Sequence, residues 1–255
     1  MYRSDTSPSV SLDTIARTAG VSYLLIIVGG LFAEFFVRQR LLVDGDAAAT
    51  AANLVASPLL FRFGMAVDLV VFSCDVVVAV MLYLLLRSVS PSLALLATAF
   101  RLVEAAILGM NMLNHFAALV FSSGGVLESA FTEAQLQALT MMALDAHAVG
   151  YSIGLVFFGF GTVLLGRLFG RTRLVPRWVS GLLAAAGAVY VFGSFVHVLV
   201  PTLEKAIMPI YAIPLVSELA VALWLTVRGA GGKGGASGPG FGSSAPLLGD
   251  AEHLR

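Results

Sequence analysis

The sequence predicts an all-α polytopic bundle of six transmembrane helices, and three observations carry that expectation. Hydrophobic residues make up 58% of the chain and charged residues 12%, with a mean hydropathy of +0.93. Soluble domains carry roughly a quarter charged residues. Apolar runs recur along the chain, each reaching the roughly 20 residues that cross about 30 Å of hydrocarbon at about 1.5 Å per residue. Finally, the basic residues divide unevenly between the two sides that six spans would create. With both termini inside, ten of them (Arg3, Arg17, Arg87, Arg167, Arg171, Arg173, Arg177, Arg228, Lys233 and Arg255) fall on the inner side. Only Arg38, Arg40, Arg62 and Lys205 fall outside. That bias predicts both termini in the cytoplasm. A zero formal net charge gives no reason to expect a nucleic-acid partner, and the single Cys74 excludes an intramolecular disulfide.

Residues 1–14 are polar and read as a cytoplasmic N-terminal segment. The first span covers about Ile15–Val37; no small-x-small cleavage site follows it, so it is expected to be retained rather than removed as a signal peptide. Gly20, Gly29 and Gly30 let another helix approach it. Beyond Arg38 and Arg40, Asp46 can cap a helix of two to three turns that Pro58 ends, expected at the membrane interface. The second span, about Leu60–Leu86, carries Asp68 and Asp75 seven residues apart, hence about 20° from one line. Pro91 opens a turn into the third span, about Thr98–Phe121. There Glu104, Asn111 and His115 fall within about 20° of one another, with Arg101 about 60° away.

Thr132 and Gln135 form a capping box for a helix entering the fourth span, about Leu139–Leu168, which contains Asp145, His147 and Tyr151. The fifth span, about Trp178–Val200, ends near His197. The sixth, about Met208–Val227, holds Glu218 and two prolines, Pro209 and Pro214, that could break it. The spans define a membrane domain over 15–228. Residues 229–255 are a Gly-rich cytoplasmic tail without enough apolar surface to fold.

Ionisable groups in lipid cost several kcal/mol unless paired, protonated or hydrated, so they mark the interior of the bundle. Converting position to depth puts Glu34, Asp68, His115, Asp145, His147 and His197 in the outer half. Asp75, Arg101, Glu104 and Glu218 lie near the midplane. Arg101 is the one basic residue deep in the membrane, so Asp75, Arg101 and Glu104 are expected to form a structural charge cluster. The surplus of acids asks for protons, water, a cation or hydrogen-bonding partners. A polar, acid- and His-lined cavity in the outer half is therefore expected to bind a proton, a cation or a small polar ligand, in a transport- or sensor-like role. Its candidate residues are Glu34, Asp68, Asn111, Asn114, His115, Asp145, His147, Tyr151, His197 and Glu218.

Alternatives follow from the same residues. His115, His147 and His197 could ligate a divalent transition metal and make an intramembrane hydrolase acting on a lipid or amphiphile, although no HExxH-like spacing is present. Haem held by two histidines has still less support. The polar groups could equally be interhelical hydrogen-bond glue in an accessory membrane subunit. Phosphate-binding loops, nucleophile elbows and dinucleotide fingerprints are absent from the sequence. Oligomeric state is left open, and the lipid bilayer is the one partner composition demands.

The stretches AGVSYLLIIVGGLFAEFFVR, GDAAATAANLVAS, LFRFGMAVDLV, FRLVEAAILGMNMLN, LDAHAVGYSIGLVFFGF and VPRWVSGLLAAAGAVYVFGSF run from about Ile15 to Val227. Together they resemble a bacterial multi-pass membrane family known as domain of unknown function 4386. The resemblance implies a helical bundle in the bacterial cytoplasmic (inner) membrane. It brings no substrate or catalytic residue, and the Gly-rich tail lies outside it.

Overall fold

A computed structural model describes residues 10–230. Most of the N-terminal segment and nearly all of the Gly-rich tail expected from sequence lie outside the described residues. Helix α1 (Leu12–Phe32) starts at Ser11, whose hydroxyl accepts the Thr14 amide at 3.1 Å. It runs into a π-helical turn, Ala33–Arg38, where the Gln39 amide donates to the Glu34 carbonyl five residues back. A short α2 (Gln39–Leu41) completes the first span. Asp46 caps α3 (Ala47–Ala56) by accepting the Ala49 amide at 2.9 Å. Then come α4 (Pro58–Leu86) and α5 (Pro91–Ser123), each with proline in the first turn, where its missing N–H costs nothing. The Thr132–Gln135 capping box opens α6 (Glu133–Phe169), and α7 is Arg177–Leu199.

One sequence expectation gains detail and one needs adjusting. The short helix α3, expected at the membrane interface, packs against α5 and α6, burying Thr50, Ala51 and Leu54. The sixth span is broken early rather than beside Glu218. Residues 201–211 form a 3-10 turn, the four-residue α8 (Glu204–Ile207) and a second 3-10 turn that holds Pro209. Pro214 then sits in the first turn of α9 (Ala212–Arg228), which runs unbroken through Glu218.

Six helical segments of the described residues are long and apolar enough to cross a membrane. They close into a ring in chain order: α1 packs on α4, α4 on α5, α5 on α6, α6 on α7, α7 on α9, and α9 back on α1. Large apolar side chains such as Leu25, Val28, Val70, Met110, Leu113 and Phe192 point outward and are exposed, as lipid contact requires. Close approach within the ring depends on small residues. A Cβ added to Gly159 of α6 would lie 2.7 Å from the Gly187 carbonyl of α7, so neither position admits a side chain without parting the helices.

The interior is layered along the bundle axis. Near the ends carrying Leu12, Leu86 and Arg228, an apolar core gathers Ala16, Ala19, Leu82, Phe169, Leu183 and Leu225. At the opposite end a smaller core joins Val37, Leu41, Leu54, Phe61, Leu119 and Leu144. The polar residues lie between these layers.

Candidate functional site

At the middle level, Arg101 is 2% exposed and its Nε donates to Asp75 Oδ1 at 2.8 Å. Its guanidinium carbon lies 4.8 Å from the ring centres of both Tyr23 and Phe158, so two aromatic faces hold the cation. Glu104, one helical turn after Arg101, rests its carboxyl against that of Asp75. Glu218 accepts a hydrogen bond from Tyr190 Oη at 2.8 Å and interacts electrostatically with Arg101 and Asp75. These residues come from α1, α4, α5, α6, α7 and α9, so every span of the ring contributes to one centre. Each lies roughly 15–20 Å from the same end of its helix, which is the middle of a hydrocarbon layer about 30 Å thick.

That centre is not fully satisfied. Asp75 Oδ2, Glu104 Oε2, Arg101 Nη1 and Tyr23 Oη are buried without a hydrogen-bond partner among the described residues. Thr162 Oγ1 and Ser194 Oγ are in the same condition. A buried polar atom left alone costs about 1–3 kcal/mol, and such atoms call for a specific explanation.

A second polar level, nearer the end of the bundle that carries Leu41, is built on the π-helical turn. Arg38 Nε donates to Glu34 Oε2 and its Nη1 to Asp68 Oδ2, both at 2.8 Å. Gln39 Nε2 reaches Glu34 Oε1 at 3.4 Å. Across the bundle, α5 and α6 are stitched together. Asn111 Nδ2 donates to the His147 carbonyl at 2.8 Å, and Asn114 Nδ2 donates to Asn111 Oδ1 at 2.9 Å. His147 Nδ1 lies 3.3 Å from the Asn111 carbonyl. Gly150 makes room for this seam, since a Cβ there would collide with the Asn111 amide. His115 is stacked on His147, and the Phe61 ring meets it edge-on at 5.2 Å. Tyr151 lies beside His147 with ring centres 6.2 Å apart. Arg38 interacts electrostatically with His115, His147 and Tyr151, which links the two halves of this level. π-turns of this kind recur at functional sites.

The predicted residues therefore separate. Asp68, Asn111, His115 and His147 are buried at this second level, with Glu34, Asn114 and Tyr151 at its margin. Glu218 joins Asp75, Arg101 and Glu104 at the middle. His197 goes elsewhere: its Nδ1 meets Glu204 Oε1 at 3.0 Å, where α7 turns into α8. Asp145 is exposed on the other side of α6 from His147, as their two-residue spacing requires. Among the described residues no group of three or more His, Cys, Asp or Glu is placed to hold a metal ion. Stacked faces also suit His115 and His147 poorly as joint ligands, because ring-nitrogen lone pairs point along the ring planes.

Sequence reasoning missed Arg38, which it counted as an outer charge, and the aromatic residues Tyr23, Phe158 and Tyr190. A signal for Arg38 was present, since Glu34 stands four residues before it and shares its face. The tyrosines gave no comparable signal.

A family model described as Domain of unknown function (DUF4386) matches residues 18–229, and the chain belongs to that family. An uncharacterized protein of Archaeoglobus fulgidus is 28% identical over 155 residues, covering 61% of this chain and 76% of the relative. No solved structure matches the chain significantly.

Proposed function

Starting from membership of the DUF4386 family, we propose that the protein binds a proton at the midplane cluster of Asp75, Arg101, Glu104 and Glu218, in a transport- or sensor-like role. The observation that carries this reading is the set of buried, unpartnered oxygens Asp75 Oδ2 and Glu104 Oε2 on two carboxyls that lie against each other. Two ionised carboxylates in contact repel, and one shared proton turns the repulsion into a hydrogen bond. Three acids surround one arginine, so the centre nears neutrality only by taking up protons. A metal cation fits less well, because the Arg101 guanidinium already occupies the centre.

The second polar level, on the outer side in this reading, supplies access. Glu34 is half open and Arg38 partly open, Arg38 contacts the buried Asp68, and Asp68 stands two turns from Asp75 on one face of α4. Toward the other side the apolar core around Leu82 and Leu225 closes the bundle. In this reading residues 15–228 form the membrane domain of a cytoplasmic-membrane protein. Both termini, including the Gly-rich tail, are cytoplasmic, as the basic residues favour.

Infrared difference spectroscopy of the protein in bilayers tests the proposal. A protonated-carboxyl band that responds reversibly to outer pH is expected, changed in Glu104→Gln and unchanged in Asp145→Asn. No such band, or one insensitive to Glu104→Gln, Asp75→Asn and Glu218→Gln alike, would reject proton binding here and leave the cluster as structural glue.

A further inference from the structure

The outer surface of the ring carries a second feature, unrelated to the polar centre. Between α5, α6 and α7 lies a groove of about 690 Å³. Its floor is one face of α6, Phe160 to Arg167, and its walls are Leu96 and Phe100 of α5 with Phe192 and Phe195 of α7. The Phe100 and Phe160 rings lie 5.8 Å apart along it. Nearly all of this lining is apolar, and it faces the bilayer. The exception is Arg167, which is exposed at one end and has no ion-pair partner among the described residues. The turn that follows, toward α7, adds Arg171, Arg173 and Arg177 on the same side.

A lone guanidinium at the end of an apolar trough matches one chemistry in particular, an anionic head with a hydrocarbon tail. We propose that this groove is a binding site for one anionic phospholipid, its phosphate at Arg167 and an acyl chain along Phe160, Phe100 and Phe192. Charge complementarity selects the occupant. A zwitterionic lipid would place a compensating cation beside the basic turn, and a second copy of this chain would have to bury Arg167 against its own apolar surface. Basic pockets between transmembrane helices at the cytoplasmic side take anionic head groups for this reason.

The full chain, purified in mild detergent and stripped of lipid, is offered phosphatidylglycerol or phosphatidylcholine, and bound lipid is counted by native mass spectrometry. One arginine near a surface is expected to favour the anionic lipid by about fivefold. Arg167→Gln is expected to remove that preference while Arg167→Lys keeps most of it. Ala188→Phe, which fills the groove at an exposed position, is expected to reduce retention of both lipids. Melting temperatures identify any variant that has misfolded, and the comparison then rests on the other two. Equal retention of the two lipids by the native chain would overturn the proposal. So would a preference that survives Arg167→Gln, or photo-cross-links from position 192 to a second copy of the chain.

Discussion

The imidazole of His115 lies flat on that of His147, with ring centres 3.4 Å apart and planes inclined by 17°. One ring belongs to α5 and the other to α6, and Phe61 of α4 meets His115 edge-on. Two charged imidazoles at that spacing would repel, so the stack is a contact in which at most one ring carries charge. Its role is therefore packing as much as polarity. Truncating His115 to Ala should lower stability by about 2–4 kcal/mol, in the range of buried ring deletions. His115→Phe, which keeps a flat ring, should cost less than about 1.5 kcal/mol. Thermal melting of the two variants in detergent checks this, and equal losses would mean that a specific polar contact of His115 matters more.

Arg101 should matter more than Arg38. Arg101 is 2% exposed with a buried partner, whereas the Arg38 side chain keeps 19% exposure and one partner, Glu34, that is half open. Arg101→Ala strands Asp75 and should cost about 3–5 kcal/mol, visible as lost insertion yield and a lower melting temperature. Arg38→Ala should cost clearly less. The double variant Asp75→Leu with Arg101→Met should recover much of the loss, because removing both charges leaves nothing stranded. If the double variant is worse than Arg101→Ala alone, the pair is not the reason Arg101 is needed.

Tyr190→Phe removes the hydrogen bond that Glu218 receives from Tyr190 Oη at 2.8 Å. A loss of about 1–3 kcal/mol is expected in a denaturation titration. Glu218→Gln keeps an acceptor for the tyrosine and should be milder. The opposite order would show that the charge of Glu218, rather than its bond to Tyr190, holds α7 and α9 together.

Glycines of the bundle should divide by what surrounds them. Gly159→Ala and Gly187→Ala bring a Cβ against backbone of the facing helix and should each cost about 1–3 kcal/mol. Gly181→Ala meets open space, and mid-helix alanine should be neutral or slightly stabilising there. Melting temperatures of the three variants measure the difference; a uniform response would mean that α6 and α7 can part without loss.

Depth was legible in the sequence, and azimuth only where one helix carried several polar residues. The rise per residue placed Asp75, Arg101 and Glu104 at one level, and they meet there. The stripe of Arg101, Glu104, Asn111 and His115 was expected to face protein, and all four are buried. Local chemistry was equally plain: Asp46 and the Thr132–Gln135 box cap the helices their patterns announced. What could not be read was the partner of a lone polar residue. His197 finds Glu204, seven residues on, because the chain leaves the helix at Val200 and folds back through a 3-10 turn. Arg38 turns to Asp68 from a π-helical segment whose sequence, AEFFVR, contains neither proline nor glycine to announce it. Glu218 was assigned to the outer site although its depth is that of Arg101, so there depth was the better guide.

The ring order of the helices bears on how such a chain can enter a membrane at all. Arg38 meets Asp68 across the first and second spans, Asp75 meets Arg101 across the second and third, and Tyr190 meets Glu218 across the fifth and sixth. Asn111 meets His147 across the third and fourth. Each of these four hydrogen-bonded pairs thus joins consecutive spans, whereas the contacts of Arg101 with Tyr23 and Glu218 reach across the ring. Helices leaving the insertion machinery in pairs would carry these hydrogen bonds already matched, and only the assembly of the midplane centre around Arg101 would wait for the last span, which brings Glu218.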